Sequence, residues 1–404
     1  MSIFVAIVGL GLLILVHELG HFLVALAVGL RPRKFYVGFP PAVAKTTRNG
    51  IEYGIGAIPL GGFVKIPGMH RPAPADVDVH FRRALDEAPG LVGPLERLRR
   101  SLGAGDFDAA RGALDELAAA VGRVRLSTPA ATAAGKGLAE LGDALGPEAY
   151  WRARTWKRVA AIVAGPGANV LLAVLLFAGL FMAGGGKATS TIDTVVPGTP
   201  AECAGLRAGD RIVAIDGTGV EASHISERIG DSGGRPLALT VERNGAEVTL
   251  PPTAPELADG RYRLGFRLSG EGLGPAQASW QALRLTGVVT KEIGASLGRL
   301  VTGEGRKDIA SPVGIVQGSS TAAQEGVETY LWVLGLLSLS LALLNLLPLL
   351  PLDGGHIVFS LIEGVRGRSV GREIYERVST VGIALVLILF FIGLSNDIGR
   401  LGGG

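Results

Sequence analysis

Hydrophobic positions in this chain gather into four blocks, with patterned stretches between them. The blocks cover residues 3–29, 158–184, 329–350 and 378–398, each with few or no charges. Each is long enough for a helix to cross a bilayer, which takes ~20 residues. They predict an α-helical polytopic membrane protein with four transmembrane helices. After the first block, "IEYGIGAIPLGGFVKIPGM" (51–69) alternates apolar and polar residues with Gly and Pro breaks, predicting a membrane-associated β-hairpin. From 71 to 150, "FRRALDEAPGLVGPLERLRRSL" and "FDAARGALDELAAAVGRVRL" carry Leu, Ala and Val at helical spacing, predicting a helical insert. After the second block, residues 187–272 predict a compact α+β domain. Within it, "RPLALTVERNGAEVTLPP" places two strands around Asn244-Gly245, a favoured two-residue hairpin turn. Residues 273–327 supply an amphipathic helix, with Trp280, Leu283, Leu285, Val288 and Ile293 among polar residues, and then a linker. The expected divisions are therefore 1–70, 71–150, 151–186, 187–272, 273–327 and 328–404.

Charge adds a direction to this layout. Arg31, Arg33 and Lys34 follow the first block, Arg152, Arg154, Lys157 and Arg158 precede or open the second, and Arg366, Arg368, Arg372 and Arg377 separate the last two. Beside the other ends stand only Lys187 and Arg400. Basic residues near membrane ends mark the cytoplasmic side. Residues 30–157 and 351–377 are thus expected in the cytoplasm, with the 187–272 domain and both termini outside. The first block lacks a preceding Lys or Arg and a small-x-small cleavage site, so it is expected to be a retained helix, not a signal peptide. Overall, 39 basic residues against 36 acidic ones leave +3, with no basic cluster, so no nucleic-acid partner is expected. Cys203 is the single cysteine, which excludes an internal disulfide and a thiolate metal cluster; it is expected as a small buried side chain.

The first block contains the chain's most informative polar residues. In "LLILVHELGHFLVAL" (12–26), His17 and His21 stand four apart and so share one helix face, close enough to bind one ion. Zinc accepts imidazole nitrogen and leaves positions for other ligands. Glu18, beside His17, is placed to take a proton from an attacking water and return it to the leaving amine. Ionisable groups at membrane depth cost ~2.5 kcal/mol or more when charged and usually mark function. A catalytic zinc usually has a third protein ligand. Of the remaining histidines, His80 and His224 fall in stretches expected at the surface. Asp353, in "NLLPLLPLDGGH", is the stronger candidate, because two prolines and two glycines break the helix there and turn backbone inward. A helix-capping Asp is the alternative. His356, three residues on, is expected as a polar residue at a helix start or as a hydrogen-bond support for the site.

HELGH in the first block paired with N-x-x-P-x-x-P-L-D-G-G in the third resembles the site-2 protease family of intramembrane zinc metalloproteases, and its bacterial PDZ-containing branch in particular. "VGFPP", "PLGGFVKIPGM", "WKRVAAIVAGPGANVLLA" and "SPVGIVQ" extend the resemblance over most of the chain outside 71–148. It implies that His17, His21 and Asp353 bind Zn2+ and that Glu18 is the general base. It implies that Asn345 bonds the substrate backbone or the developing oxyanion, with interhelical packing as the alternative. The segment containing Gly61, Gly62 and Phe63 would offer a strand edge to an unwound substrate, and Asn169 would make a second polar contact near it, with a packing role as the equal alternative. "AGLRAGDRIVAIDG" looks like part of a PDZ domain, acting through a bound carboxyl terminus or as a size filter. The implied partners are single-span membrane proteins and the lipid bilayer, with room for a regulator at the PDZ-like domain or the insert. The implied function is regulated intramembrane proteolysis, for example of anti-sigma factors or signal-peptide remnants, at the inner (plasma) membrane. The rival is a zinc-containing scaffold acting through its PDZ domain, for which Glu18 would have no use.

Overall fold

The computed structural model describes residues 2–258, 260–301, 305, 309–368, 370 and 372–402. The chain opens with α1 (Ser2–Ala27), then the strands β1 (Lys34–Arg48) and β2 (Ile51–Lys65). Four helices follow: α2 (Pro74–Glu87), α3 (Val92–Ala104), α4 (Phe107–Val121) and α5 (Thr128–Leu145). After α6 (Thr155–Leu180) come β3 (Lys187–Val195), α7 (Pro200–Cys203), β4 (Arg211–Ile215), β5 (Thr218–Gly219) and α8 (Ala222–Gly230). The β-rich stretch continues through β6 (Leu239–Arg243), β7 (Ala246–Thr249), β8 (Glu256–Ala258), β9 (Arg261–Arg263) and β10 (Phe266–Glu271). The chain closes with α9 (Pro275–Val301), α10 (Pro312–Glu325), α11 (Val327–Asn345), α12 (Asp353–Arg366) and α13 (Arg372–Gly402). Among the described residues, four helical stretches, Ser2–Ala27, Thr155–Gly185, Val327–Asn345 and Ile374–Gly399, are long and apolar enough to cross a membrane. The protein is a multi-pass membrane protein. It divides into two compact units, residues 1–173 with 289–404, and residues 174–288.

In the first unit, the expected β-hairpin is a broader sheet. The outer turn pairs Arg48 with Ile51 and Lys45 with Gly54, as a hairpin would. Lys34 to Val37 then take two sets of neighbours, Glu52 to Ile55 on one side and Lys65 to Gly62 on the other. Four segments therefore lie side by side, because β2 bends at its Gly-rich middle and returns along the far side of β1. Glu52 clasps this sheet by accepting from Lys34 Nζ at 2.9 Å and Tyr36 O–H at 2.7 Å. These donors, Lys34 first, hold its carboxyl down to about 2. The segment Gly62–Lys65 ends as the outermost row, with one side paired to β1.

Helices α2 to α5 bury an apolar stripe each, among them Phe81, Leu98, Leu117 and Leu145, in one shared core. Their ends are specified locally: the Asp106 carboxylate caps α4 by accepting from Ala109 N–H, and Gly105 leaves α3 in the left-handed conformation at φ 73°. Leu98 is fully buried. Leu98→Ala is expected to destabilise this bundle by ~2–5 kcal/mol, seen as faster limited proteolysis between residues 74 and 145 of the intact chain.

Close helix approach joins the spans. A Cβ at Gly20 of α1 would sit 2.3 Å from the Ala164 carbonyl oxygen of α6, so only glycine permits this crossing. Tyr330 of α11 donates to the Val5 carbonyl of α1 at 2.7 Å. Two expectations need correction here. The stretch before the third span contains a full helix, α10, where a linker was expected; residues 302–304 and 306–308 of that linker lie outside the described residues. Small residues leave α10 without an apolar stripe; they let it pack closely on α1 and α11, with Ser319, Ser320 and Ala322 buried. Its N-terminus is anchored by Ser311 and Gly314 N–H groups donating to Asp397 of α13 at 2.9 and 3.1 Å. The 351–377 connection likewise contains α12, tied to α6 by Arg158 donating to Glu363 at 2.6 Å.

The second unit is built on a sheet in the order β10-β3-β4-β6-β7, with β5 paired to β4. Ile192, Ile212, Ile225, Leu239 and Val241 form its core with α8. Asn244 and Gly245 both have positive φ, 53° and 79°, as their two-residue turn requires. Cys203 is exposed, contrary to the expectation, because the single turn of α7 buries Pro200 and Ala201 and points Cys203 the other way. Asp210 is buried and accepts from Arg243 at 2.7 and 2.6 Å and from the Arg207 N–H at 2.9 Å. The Arg243 guanidinium, with the Arg207 amide, holds the Asp210 carboxyl below its ordinary value. Because the folded carboxyl is depressed, this stabilisation is present above the unfolded value of ~3.9 and is lost as pH falls through it toward the folded value. Asp210→Asn should weaken the unit by ~1.5–3 kcal/mol at neutral pH. Hydrogen exchange at β4 and β6 would report it, and the variant's exchange rates should change less than those of the wild type on acidification.

Candidate active site

The site is assembled by three elements. In α1 the four-residue spacing brings the imidazoles of His17 and His21 together, with ring centroids 4.8 Å apart. Pro348 and Pro351 end α11, and α12 restarts with Asp353 in its first turn. Gly354 and Gly355 are required there, since a Cβ at Gly354 would lie 2.2 Å from the Leu347 carbonyl oxygen and one at Gly355 2.6 Å from the Leu350 nitrogen. The tight loop they permit delivers Asp353 to the histidines.

The three ligand atoms form a nearly equilateral triangle. His17 Nε2 lies 3.1 Å from Asp353 Oδ2, His21 Nε2 lies 3.2 Å from the same oxygen, and the two Nε2 atoms are 3.2 Å apart. Zinc arms of ~2.0–2.1 Å in a tetrahedron would hold their ligands ~3.3–3.4 Å apart, so this set fits the ion closely. Both histidines are buried, and a cation held between the two ring nitrogens and the carboxylate oxygen would satisfy all three. His21 Nδ1 donates to the Ala161 carbonyl at 2.9 Å, which leaves Nε2 facing the triangle.

A cavity of about 530 Å³ opens on this triangle, lined by Glu18, Asn345, Gly61, Gly62 and Phe63 together with the three ligand candidates. The Val64 backbone amide approaches the Glu18 carboxylate. Gly62 lets the strand come this near, for a Cβ there would lie 3.0 Å from Glu18 Cγ. The outermost row of the sheet therefore runs directly past Glu18. Phe63 stacks on Tyr36 at 5.1 Å with the rings almost parallel.

Asn169, expected at the substrate, is not in this cavity. It is fully buried behind His17, its side-chain amide 3.5 Å from Nδ1, because α6 packs that face against α1. His356 lines the same cavity and bonds to Tyr375, with Nδ1 2.5 Å from the phenol oxygen. His80, expected at the surface, is partly covered and meets Glu140 at 3.2 Å. Ala161 and Gly165 were not among the expected site residues. The signal for Gly165 was the run of small residues around Pro166 in "AGPGAN", unusual in the middle of an apolar helix; Ala161 lies outside that run.

Known proteins agree with this chemistry. The model of peptidase family M50 matches residues 5–389. A protein of Agrobacterium fabrum bearing a zinc metalloprotease name is 32% identical over 98% of this chain and 94% of its own length. The zinc metalloprotease RasP of Geobacillus kaustophilus is 30% identical, covering 98% of this chain and 97% of RasP. The protease Eep of Enterococcus faecalis is 28% identical over 99% of both chains. With its paired histidines, an adjacent glutamate and a family match spanning nearly its whole length, this chain belongs to peptidase family M50 and is a site-2-type zinc metalloprotease.

Proposed function

We propose that this protease hydrolyses peptide bonds within or near the transmembrane segments of membrane-anchored proteins. The observation that carries the reading is the placement of a zinc-compatible triangle and Glu18 within and beside an apolar spanning helix, with an outer strand edge alongside. His17, His21 and Asp353 would hold the ion. Zinc, when bound there, supplies a Lewis acid that polarises the scissile carbonyl and acidifies the attacking water. Glu18 takes the water's proton and later delivers it to the amine of the leaving segment. The row Gly62–Lys65 offers backbone groups to an extended substrate, adding it as a further strand. This step matters because a helix keeps its amides bonded to itself, and a scissile bond must be freed before it is attacked. Asn345, lining the same cavity, is placed to donate to the carbonyl oxygen as charge develops on it.

The setting we infer is regulated proteolysis at the inner (plasma) membrane, with anti-sigma factors or signal-peptide remnants as the substrate class. Residues 30–157 and 351–377 would face the cytoplasm, supported by the basic residues at those ends. The 187–272 unit would be an extracytoplasmic PDZ-like domain, taking a carboxyl terminus or excluding untrimmed substrates, and the helical insert would be a place for a regulator. The test is to incubate the purified chain in detergent with a panel of single-span proteins and to map products by mass spectrometry. Cuts inside the spans are expected. Cuts confined to soluble loops would sink the intramembrane reading.

A further inference from the structure

His17 and His21 face three positions of α6 at the same four-residue rhythm: Ala161, Gly165 and Asn169. Ala161 and Gly165 serve His21. The carbonyl of Ala161 accepts its Nδ1 hydrogen, and Gly165 makes room for its ring, which a Cβ would approach to 2.2 Å. One helical turn beyond Gly165, and two beyond Ala161, Asn169 stands to His17 as Ala161 stands to His21. A neutral imidazole whose Nε2 faces a metal carries its hydrogen on Nδ1 and needs an acceptor there. His17 Nδ1 finds only the Asn169 side chain among the described residues, with Nδ2 at 3.5 Å. A donor thus faces a donor, while Asn169 Oδ1 is buried with no hydrogen-bond partner. Nitrogen and oxygen of a side-chain amide have nearly the same shape, and their assignment follows the hydrogen bonds. Turning this amide by half a revolution brings Oδ1 to the Nδ1 hydrogen, pairing ring and carbonyl, and moves Nδ2 to the place Oδ1 held.

We propose that Asn169 is the positioning residue for His17: its side-chain carbonyl accepts the Nδ1 hydrogen and so presents Nε2 to zinc. The inference rests on His17 being a metal ligand. The backbone of Asn169 is itself held, since Ser338 of α11 donates to its carbonyl at 2.9 Å. Three spanning helices therefore fix one imidazole, with α11 holding α6 and α6 holding the ring on α1. Asn169 is fully buried and does not line the cavity, so its effect would come through ligand geometry and metal affinity.

The test is zinc affinity of the purified full chain, measured by chelator competition, with the absorption spectrum of the cobalt(II)-loaded protein as a second readout. Asn169→Leu keeps the size and removes the acceptor; it should bind zinc about 10–100-fold more weakly and shift the cobalt spectrum. Asn169→Asp restores an acceptor and should match or exceed the wild type. On the unaltered zinc-loaded chain, nitrogen NMR should find the hydrogen on Nδ1 of His17. An Asn169→Leu variant with wild-type affinity and spectrum would overturn the proposal. So would a His17 ring whose Nδ1 carries no hydrogen, a measurement that stands even if the variant does not fold. A chain that binds zinc in this way yet cuts no membrane protein would refute the proposed function and leave Asn169's role intact.

Discussion

Glu18→Gln should lower the cleavage rate by about 10²–10⁴-fold, the contribution expected of a general acid–base group, while zinc affinity stays within a few-fold of wild type. Gln keeps the length and one oxygen of Glu, so the close approach of the neighbouring strand at Gly62 is undisturbed. What Gln lacks is a site for the water's proton. None of the three ligand candidates is altered, and the triangle of 3.1, 3.2 and 3.2 Å does not involve Glu18. The pairing of lost turnover with retained metal therefore isolates the proton-transfer role. Rates from initial product formation and zinc content by competition titration, on the same preparation, would decide it. Equal rates for both proteins would show either that another group takes the proton or that the activity belongs to a contaminant. Parallel loss of rate and zinc would instead make Glu18 part of the metal site.

Much of this site can be read from the sequence because its signals are exceptions to their surroundings. Polar residues in an apolar helix stand out, and helical periodicity alone places His17 and His21 on one face. Asp353 stands out for the same reason, between prolines and glycines that no spanning helix needs. The sheet beside them was less accessible. A glycine-rich strand has weak register preference, and nothing local in "GAIPLGGF" says that the chain bends back to lie against Lys34–Val37 a second time. Helix α10 was hidden by the opposite problem, since its Gly, Ser and Ala residues carry no apolar period and its anchor, Asp397, lies over 80 residues away. For Asn169 a substrate contact and a packing role stay equally open, because a lone Asn in an apolar helix looks the same from the sequence whichever way it faces. Only the packing of α6 on α1 sends it to the back of His17. The contributions of Ala161 and Gly165 are harder still to foresee: one acts through a backbone carbonyl and the other through the absence of a side chain.

The missing side chain at residue 165 has a large consequence. Gly165→Ala should abolish tight zinc binding and cleavage together, whereas Gly167→Ala, two residues along the same helix, should change neither. A Cβ at Gly165 would lie 2.2 Å from His21 Nε2 and 2.5 Å from Cε1, distances that atoms not bonded to one another do not adopt. The ring must swing away, and in doing so it leaves both the triangle and the Ala161 carbonyl. Losing a candidate ligand costs more than losing an outer hydrogen-bond partner, itself worth about 10–100-fold in affinity. Added zinc should therefore fail to restore the rate at ordinary concentrations. At Gly167 nothing lies within 4 Å of where a Cβ would stand, and alanine is the better helix former by ~0.5–1 kcal/mol, so that variant should fold at least as well as the wild type. Both changes add one methyl group to one apolar helix, and they differ in whether a histidine stands in the way. If both variants bound zinc normally, His21 would not be held against α6 as described. If both lost it, the helix as a whole, and not the room left for one imidazole, would be what the metal site requires.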